Sequence, residues 1–294
     1  MAVRAASLNF TDVLMMKGLY QEKPPLPFVP CMDGAGIVLE VGSGVTGFRE
    51  GDHVLTSGVP GMASGEVLIA EERLVPVPPG VDSAAAAGSI NSHLTAFHGL
   101  VDRAGLREGE TLLVLGASGA VGSAVEIGRL LGARVLAAVR ERDRAAEVLK
   151  AGADEAIVLA EGDLRSRLLA LTGGEGVDVV LDPVGGAHFE QALRCLRWRG
   201  RILVVGFAGG EIPKVPVNLA LLKGCSVVGV YCGGLLLAQF DVFRQQIREV
   251  LRLLGEGRIR PVLGRGYTLD DFPAAYAAFH EDGRRGKVIL LPGA

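Results

Sequence analysis

The stretch Thr111–Gly122 reads TLLVLGASGAVG, and the fold of the chain follows from it. Thr111 to Leu115 is an apolar run of strand length. A turn then carries Gly116, Gly119 and Gly122 in the spacing G-x-x-G-x-x-G, and a helical pattern begins, with Val121, Val125, Ile127, Leu130 and Leu131 apolar. A glycine motif alone is weak, and a plain strand–turn–helix connection is the alternative to it. Strand, glycine turn and helix in that order are the context in which main chain approaches a diphosphate and free N–H groups at the helix start hold the anion. Gly116, Ala117, Ser118, Gly119, Ala120, Val121 and Gly122 are therefore the candidate dinucleotide-binding loop.

Outward from this loop the pattern alternates. Strands are expected at Thr111–Leu115, Arg134–Val139, Glu155–Val158, Val177–Asp182, Arg201–Val205 and Ser226–Val230, with helices at Ala120–Leu131, Arg142–Ala151, Leu164–Leu171 and His188–Leu196. Six strands alternating with helices mean a doubly wound, parallel α/β sheet. Upstream, Asn9–Tyr20 reads as a short helix, and the four prolines of Pro24–Pro30 impose an extended loop. Asp33–Val41, Gly51–Thr56, Glu66–Ile69 and Leu74–Val77, separated by glycine turns, read as strands of a small β-rich domain. Two helices follow at Asp82–Gly88 and Leu94–Val101, with Asp82 placed to cap the first. After Tyr231 the alternation stops. Phe240–Leu254 is an amphipathic helix with Phe243, Ile247, Val250, Leu251 and Leu254 on one face. Val262–Thr268 is expected as a strand, Ala274–Phe279 as a helix and Lys287–Leu291 as a final strand. The simplest topology returns this tail to the β domain, giving residues 1–90 with 236–294 as one domain and 91–235 as the inserted nucleotide domain.

Composition narrows the function. The chain has 294 residues, 49% of them hydrophobic, enough for a sizeable core. Its 30 basic and 33 acidic side chains give a net charge of −3, with no basic face for nucleic acid. No apolar run approaches the ~18 residues of a membrane span, and Asp12 interrupts the apolar segment near the start, which has no signal-peptide layout. A cytoplasmic enzyme is the expectation. Cys31, Cys195, Cys225 and Cys232 form no C-x-x-C pair, and the histidines, His53, His93, His98, His188 and His280, form no H-x-x-x-H pair. Neither a disulfide framework nor a cysteine zinc knot is expected.

The second strand of the alternating half ends at Val139, where NAD-binding proteins place an acid on the ribose 2′-OH. Here the position is Arg140, with Arg142 and Arg144 close behind. A guanidinium fork suits a 2′-phosphate, so the sequence favours NADPH. Glu141 remains within reach of a ribose, and charges at a helix start also serve plain solvation. Two later strands end at Asp182-Pro183-Val184-Gly185-Gly186 and Val205-Gly206-Phe207. Ligands in such sheets bind at the carboxyl ends of strands, and glycines there let a nicotinamide lie against backbone, unless they are ordinary turn glycines.

GASGAVG, DPVGG, NLALLKG (Asn218–Gly224), the opening ASLNFTDVLMMKGLY and the closing GKVIL resemble the zinc-independent quinone oxidoreductases, a branch of the medium-chain dehydrogenase/reductases. The resemblance runs over essentially the whole chain in order. It implies a GroES-like catalytic domain carrying an inserted Rossmann domain, and NADPH-dependent reduction of quinones or α,β-unsaturated carbonyls. The cofactor-binding set expected on this basis is the loop 116–122 with Arg140, Arg144, Asp182, Gly206, Phe207, Tyr231 and Lys287. Zinc-bearing relatives use cysteine, histidine–glutamate and cysteine at the cleft, and the matching positions here are Asn9, Met32 with Asp33, and Asn91. Zinc wants thiolate or imidazole, so metal-free chemistry is expected.

A carbonyl or thioester oxygen that gains charge needs donors or a proton. Asn9 is available to donate, and Tyr20 matches the tyrosine that related enoyl-thioester reductases carry in this loop. Asn9 is equally placed to cap a helix and Tyr20 to pack. The resemblance also leads one to expect strands ahead of ASLN, whereas Met1 precedes Ala5 by four residues, so the β domain is expected to lack its first strands and to expose ladder edges.

Other readings meet obstacles. Gly116-Ala117-Ser118-Gly119-Ala120 misses the hydrolase elbow G-x-S-x-G by its last residue, and none of Tyr20, Tyr231, Tyr267 or Tyr276 is followed four residues on by lysine, as a short-chain dehydrogenase requires. An NADPH-dependent reductase, with enoyl-thioester reduction as its variant, stands beside a non-catalytic NADPH-binding protein. Ser226–Tyr231 is apolar and falls sixth, hence at a sheet edge, where pairing with a second copy would give a homodimer.

Overall fold

The computed structural model describes residues 1–116, 122–281 and 284–293. The chain divides into two compact units, Met1–Leu94 with Gly233–Ala294, and Thr95–Cys232.

The second unit is built on six parallel strands: β5 (Thr111–Leu115), β6 (Arg134–Val139), β7 (Glu155–Val158), β8 (Val177–Asp182), β9 (Leu196–Val204) and β10 (Ser226–Gly229). Their order, β10-β9-β8-β5-β6-β7, is the doubly wound order with its crevice between β5 and β8. Strands covered on both faces carry unbroken apolar runs, and here Leu112, Leu113, Val114, Val179 and Val180 are fully buried. The helices of this unit are α3 (Gly122–Leu130), α4 (Ala145–Lys150), α5 (Leu164–Leu171), α6 (Ala187–Arg194) and α7 (Val217–Lys223). Phe189 of α6 and Leu168 of α5 pack on Leu113, Leu136 and Ile202.

The first unit holds an antiparallel sheet extended by one parallel pair, in the order β11-β12-β1-β2-β3-β4. Its strands are β1 (Ala2–Leu8), β2 (Asp33–Ile37), β3 (His53–Thr56), β4 (Val75–Pro76), β11 (Leu263–Tyr267) and β12 (Lys287–Leu290). Its helices are α1 (Phe10–Met16), α8 (Cys232–Ala238), whose first residue belongs to the second unit, α9 (Phe240–Gly255) and α10 (Phe272–His280). Val3, Leu8, Met62, Ala275, Val288 and Leu290 form its main core. The apolar face of α9 is buried through Phe243, Ile247, Val250 and Leu251.

Three expectations are corrected. Glu66–Ile69 forms no strand; it contributes an isolated bridge from Glu66 to Ala2 and a pair of backbone bonds between Val67 and Met1. The two helices after Pro78 are one, α2 (Ser83–Phe97), which Asp82 begins by accepting the Ala85 N–H at 2.7 Å and which runs into a π-helical turn, His98–Arg103. β1 is an interior strand with partners on both sides, β12 and β2, so it leaves no bare edge.

Candidate active site

In the second unit, a cavity of about 560 Å³ opens at the carboxyl ends of the parallel strands. Leu115 and Gly116 contribute from the end of β5, Arg140 from β6, and Leu159 with Ala160 from β7. Val184, His188, Ala208 and Gly209 come from the turns after β8 and β9. Gly116 has φ +62°, and a Cβ there would meet Val184 Cγ2 at 2.5 Å, so no other residue lets the chain turn this closely past β8. Ala117, Ser118, Gly119, Ala120 and Val121 lie outside the described residues; Gly122 opens α3.

The three arginines part company. Arg140 is exposed, lines the cavity and, among the described residues, makes no hydrogen bond or ion pair through its guanidinium. Arg142 pairs with Glu161 at 2.7 Å. Arg144, expected on the cofactor, is buried with Nη1 on Glu147 at 3.0 Å and Nε 3.8 Å from Asp143; two carboxylates occupy the charge that a phosphate would need.

Asp182, expected on the cofactor, closes β8. It is buried, and its Oδ1 accepts the N–H groups of Val184 at 2.8 Å and Gly185 at 2.9 Å. Through Oδ1 it shapes its own turn. Burial raises its pKa, and those two donors oppose the rise. The turn after β9 is tied to it, Ala208 N–H to Pro183 O and Gly209 N–H to Val184 O. This places Ala208 and Gly209 on the cavity; Gly206 and Phe207 are not among its lining residues, and the Phe207 ring lies close to Gly185. Tyr231 follows β10, is 40% exposed and is not among the residues lining this cavity. The sequence reading passed over Leu159, Ala160 and His188, although the rule that ligands sit at strand carboxyl ends applies to β7 and β8 alike.

The first unit brings a different set together, and strand register does it. Ser7 of β1 lies opposite Asp33 of β2, and continuing the β2–β3 pairing from Gly34↔Thr56 puts Ser57 beside Asp33. Continuing the β1–β12 pairing from Leu8↔Val288 puts Lys287 beside Asn9. The result is a closed polar chain: Ser57 Oγ donates to Asp33 Oδ1 at 2.6 Å, Asn9 Nδ2 to Asp33 Oδ2 at 2.7 Å and to Ser7 Oγ at 3.1 Å, and Lys287 Nζ to Asn9 Oδ1. Asp12, in the first turn of α1, accepts the Asn9 N–H at 2.8 Å. All of these residues are buried.

Burial, reinforced by the Asp33 carboxylate, pushes Asp12 up to about 7. Burial also raises Asp33, against the Ser57 hydrogen bond and the Lys287 charge. It pushes Lys287 down to about 8, with Asp33 acting in the opposite sense.

Two expected roles therefore change. Asn9, 2% exposed, spends its amide on Asp33, Ser7 and Lys287 and has no donor left for a substrate oxygen. Lys287 turns its ammonium to Asn9 rather than outward to a cofactor. Tyr20 is half-buried in the turn after α1.

The donors at the positions of the zinc ligands do not fit zinc. Asn9, Met32 and Asn91 offer neither thiolate nor imidazole, and the Lys287 ammonium already answers the Asp33 carboxylate. Among the described residues no three His, Cys, Asp or Glu side chains gather as a metal site.

Comparison with known proteins agrees with this anatomy. Residues 1–79 match the alcohol dehydrogenase GroES-like domain and residues 120–256 the zinc-binding dehydrogenase family. Quinone oxidoreductase-like protein 2 of Bos taurus is 39% identical over 291 residues, 98% of this chain and 83% of that protein. The quinone oxidoreductase of Thermus thermophilus, solved also as its complex with NADPH, superposes with a TM-score of 0.84 at 32% identity, covering 99% of this chain and 90% of that one. The Escherichia coli quinone oxidoreductase complexed with NADPH gives 0.89 at 28%, with 99% and 90% covered.

Proposed function

The chain belongs to the medium-chain dehydrogenase/reductase superfamily and is a quinone oxidoreductase-like, NAD(P)-dependent oxidoreductase; on that premise we propose that it uses NADPH to reduce small quinones or α,β-unsaturated carbonyls without a metal. The observation that carries the cofactor choice is Arg140: a cation at the end of β6, on the cavity wall, with no partner among the described residues. An acid at this place would accept from a ribose hydroxyl and repel a phosphate; a free guanidinium does the reverse.

NADPH, when bound, supplies the hydride, and the protein supplies binding and orientation. Gly116 gives the close backbone turn, the loop 116–122 with the start of α3 receives the diphosphate, and Arg140 holds the 2′-phosphate. Tyr20 serves as the proton source for the substrate oxygen. Asn9, Asp33 and Lys287 set the framework around the helix that leads to Tyr20 rather than touching substrate.

Titrating both cofactors tests this reading: Arg140→Asp is expected to weaken NADPH by on the order of 1–3 kcal/mol, roughly five- to 150-fold, and to leave NADH nearly unchanged. Equal affinity of the unaltered protein for NADH and NADPH overturns it. A panel of quinones, enones and enoyl-thioesters then assigns the acceptor; turnover of enoyl-thioesters alone would move the substrate class, and no NADPH oxidation with any of them would leave an NADPH-binding protein.

A homodimer belongs to the same proposal. β10 is the sheet edge and its Val227 is 39% exposed, so strand pairing about a two-fold axis would satisfy its backbone groups. Sedimentation at micromolar concentration is expected to give a dimer, and Val228→Pro, which removes a ladder donor, to weaken it.

A further inference from the structure

Most of the cavity in the second unit is apolar: Leu115, Leu159, Ala160 and Val184 present hydrocarbon. Among the described residues only two of its lining side chains carry polar heads, Arg140 and His188. Arg140 is the cation for the 2′-phosphate. His188 has no established task, and its environment is unusual.

His188 is the second residue of α6. The residue is half-buried, yet its Nδ1 is sealed from solvent and has no hydrogen-bond partner among the described residues. A neutral imidazole carries a single proton, on one nitrogen or the other. With Nδ1 sealed and unpaired among the described residues, Nε2 is the ring nitrogen left to meet a ligand, and it donates when it carries the ring proton. The nearby charged group is Asp182, whose carboxyl feels His188 electrostatically but whose Oδ1 is spent on the Val184 and Gly185 N–H groups.

An apolar slot with one cation unpaired among the described residues and one imidazole nitrogen open to it matches a nucleoside that carries a phosphate: a flat base against hydrocarbon, an anion on the guanidinium and an acceptor for the imidazole. We propose that His188 is a specificity-determining residue of this cofactor site, donating from Nε2 to an acceptor atom on the adenosine half of NADPH. The proposal rests on the reading of this cavity as the NADPH site and assigns a second recognition contact within it.

Calorimetry with 2′-AMP, 5′-AMP, reduced nicotinamide mononucleotide and NADPH tests it on the full chain. His188→Leu is expected to bind 2′-AMP and NADPH about tenfold more weakly, the scale of one neutral hydrogen bond, with the mononucleotide unaffected. His188→Gln, which carries an N–H donor at similar reach, is expected to recover to within about threefold of the unaltered protein, separating donation from packing. Unchanged 2′-AMP affinity in His188→Leu overturns the proposal, as does a Gln variant no better than Leu. If 5′-AMP binds the unaltered protein as tightly as 2′-AMP, the NADPH preference fails while His188 is still judged by the loss on 5′-AMP.

Discussion

Each unit buries a carboxylate at the end or start of a strand, and the two dispose of it in opposite ways. Asp182 in the second unit is met by backbone N–H groups of its own turn, so no side chain is consumed there, and Arg140 on the cavity wall of that unit stays unpaired among the described residues. Asp33 in the first unit is met by side chains drawn from three other strand ends: Ser57, Asn9 and, through Asn9, Lys287. Backbone donors leave the chemical groups of a crevice free for a ligand. Side-chain donors close the circuit and convert residues that resemble a reaction centre into a scaffold. A polar side chain is therefore judged by whether its hydrogen-bonding capacity is already spent.

The contrast breaks most visibly at Lys287. Lys287→Met removes the only cation in the closed chain and strands Asp33 and Asn9, and loss of one partner of a buried pair costs about 3–5 kcal/mol. Denaturant melts of the full chain are expected to show that loss; an unchanged midpoint would mean the ammonium balances nothing. Asp12 gives the next effect. Its folded pKa lies above its ordinary 3.8, at about 7, so the native state holds a proton that the unfolded state releases. Stability from this group is complete below about pH 4 and declines as pH rises toward 7, at about 1.4 kcal/mol per unit. Lys287, pushed down to about 8, acts in the other direction, adding stability as pH rises from 8 toward its ordinary 10.5. Melts at pH 5 and pH 7 are expected to differ by about 2–3 kcal/mol on account of Asp12, and Asp12→Asn to flatten that difference. A slope that survives in Asp12→Asn would assign it to another group. The smallest effect sharpens the other side: Gly116→Ala strains a positive φ and crowds Val184, costing roughly 1–2 kcal/mol and weakening NADPH, with Asp12-linked pH behaviour untouched.

The parallel sheet was legible because its central strands are buried on both faces: Thr111–Leu115, Arg134–Val139 and Val177–Asp182 are found at the bounds read from their apolar runs, and the half-exposed edge strand Glu155–Val158 is found at its bounds too. The short strands of the first unit were less so, since Glu66–Ile69 has the composition of a strand but only one bridge to pair with. Gly88 read as a helix break. It is inside α2, where a Cβ would meet Leu263 at 2.5 Å, so it serves close approach rather than termination. At the sites, residue type pointed to Arg140, Arg144, Asn9 and Lys287, but not to which of them other side chains already occupy. Arg144 resembles Arg140 in sequence and differs by Glu147, one helical turn away. That Asn9 is spent on Lys287 depends on a strand pairing across 278 positions, which no local pattern contains. Asp12, a carboxylate inside an apolar segment, was the available signal that a buried network lay there.

That same pairing of β1 with β12 sets a timetable for synthesis. The second unit is one continuous segment and has all its strands once Cys232 has been added. The first unit has β1 from Ala2 onward, yet cannot finish its sheet until Lys287–Leu290 emerges. At ~5–20 residues per second, β1 waits roughly 15–60 s for its neighbour, an interval long compared with the folding of most domains. Throughout it, one flank of the apolar strand Ala2–Leu8 stands open, and a ribosome-bound chain is in the state in which a chaperone has the most to protect.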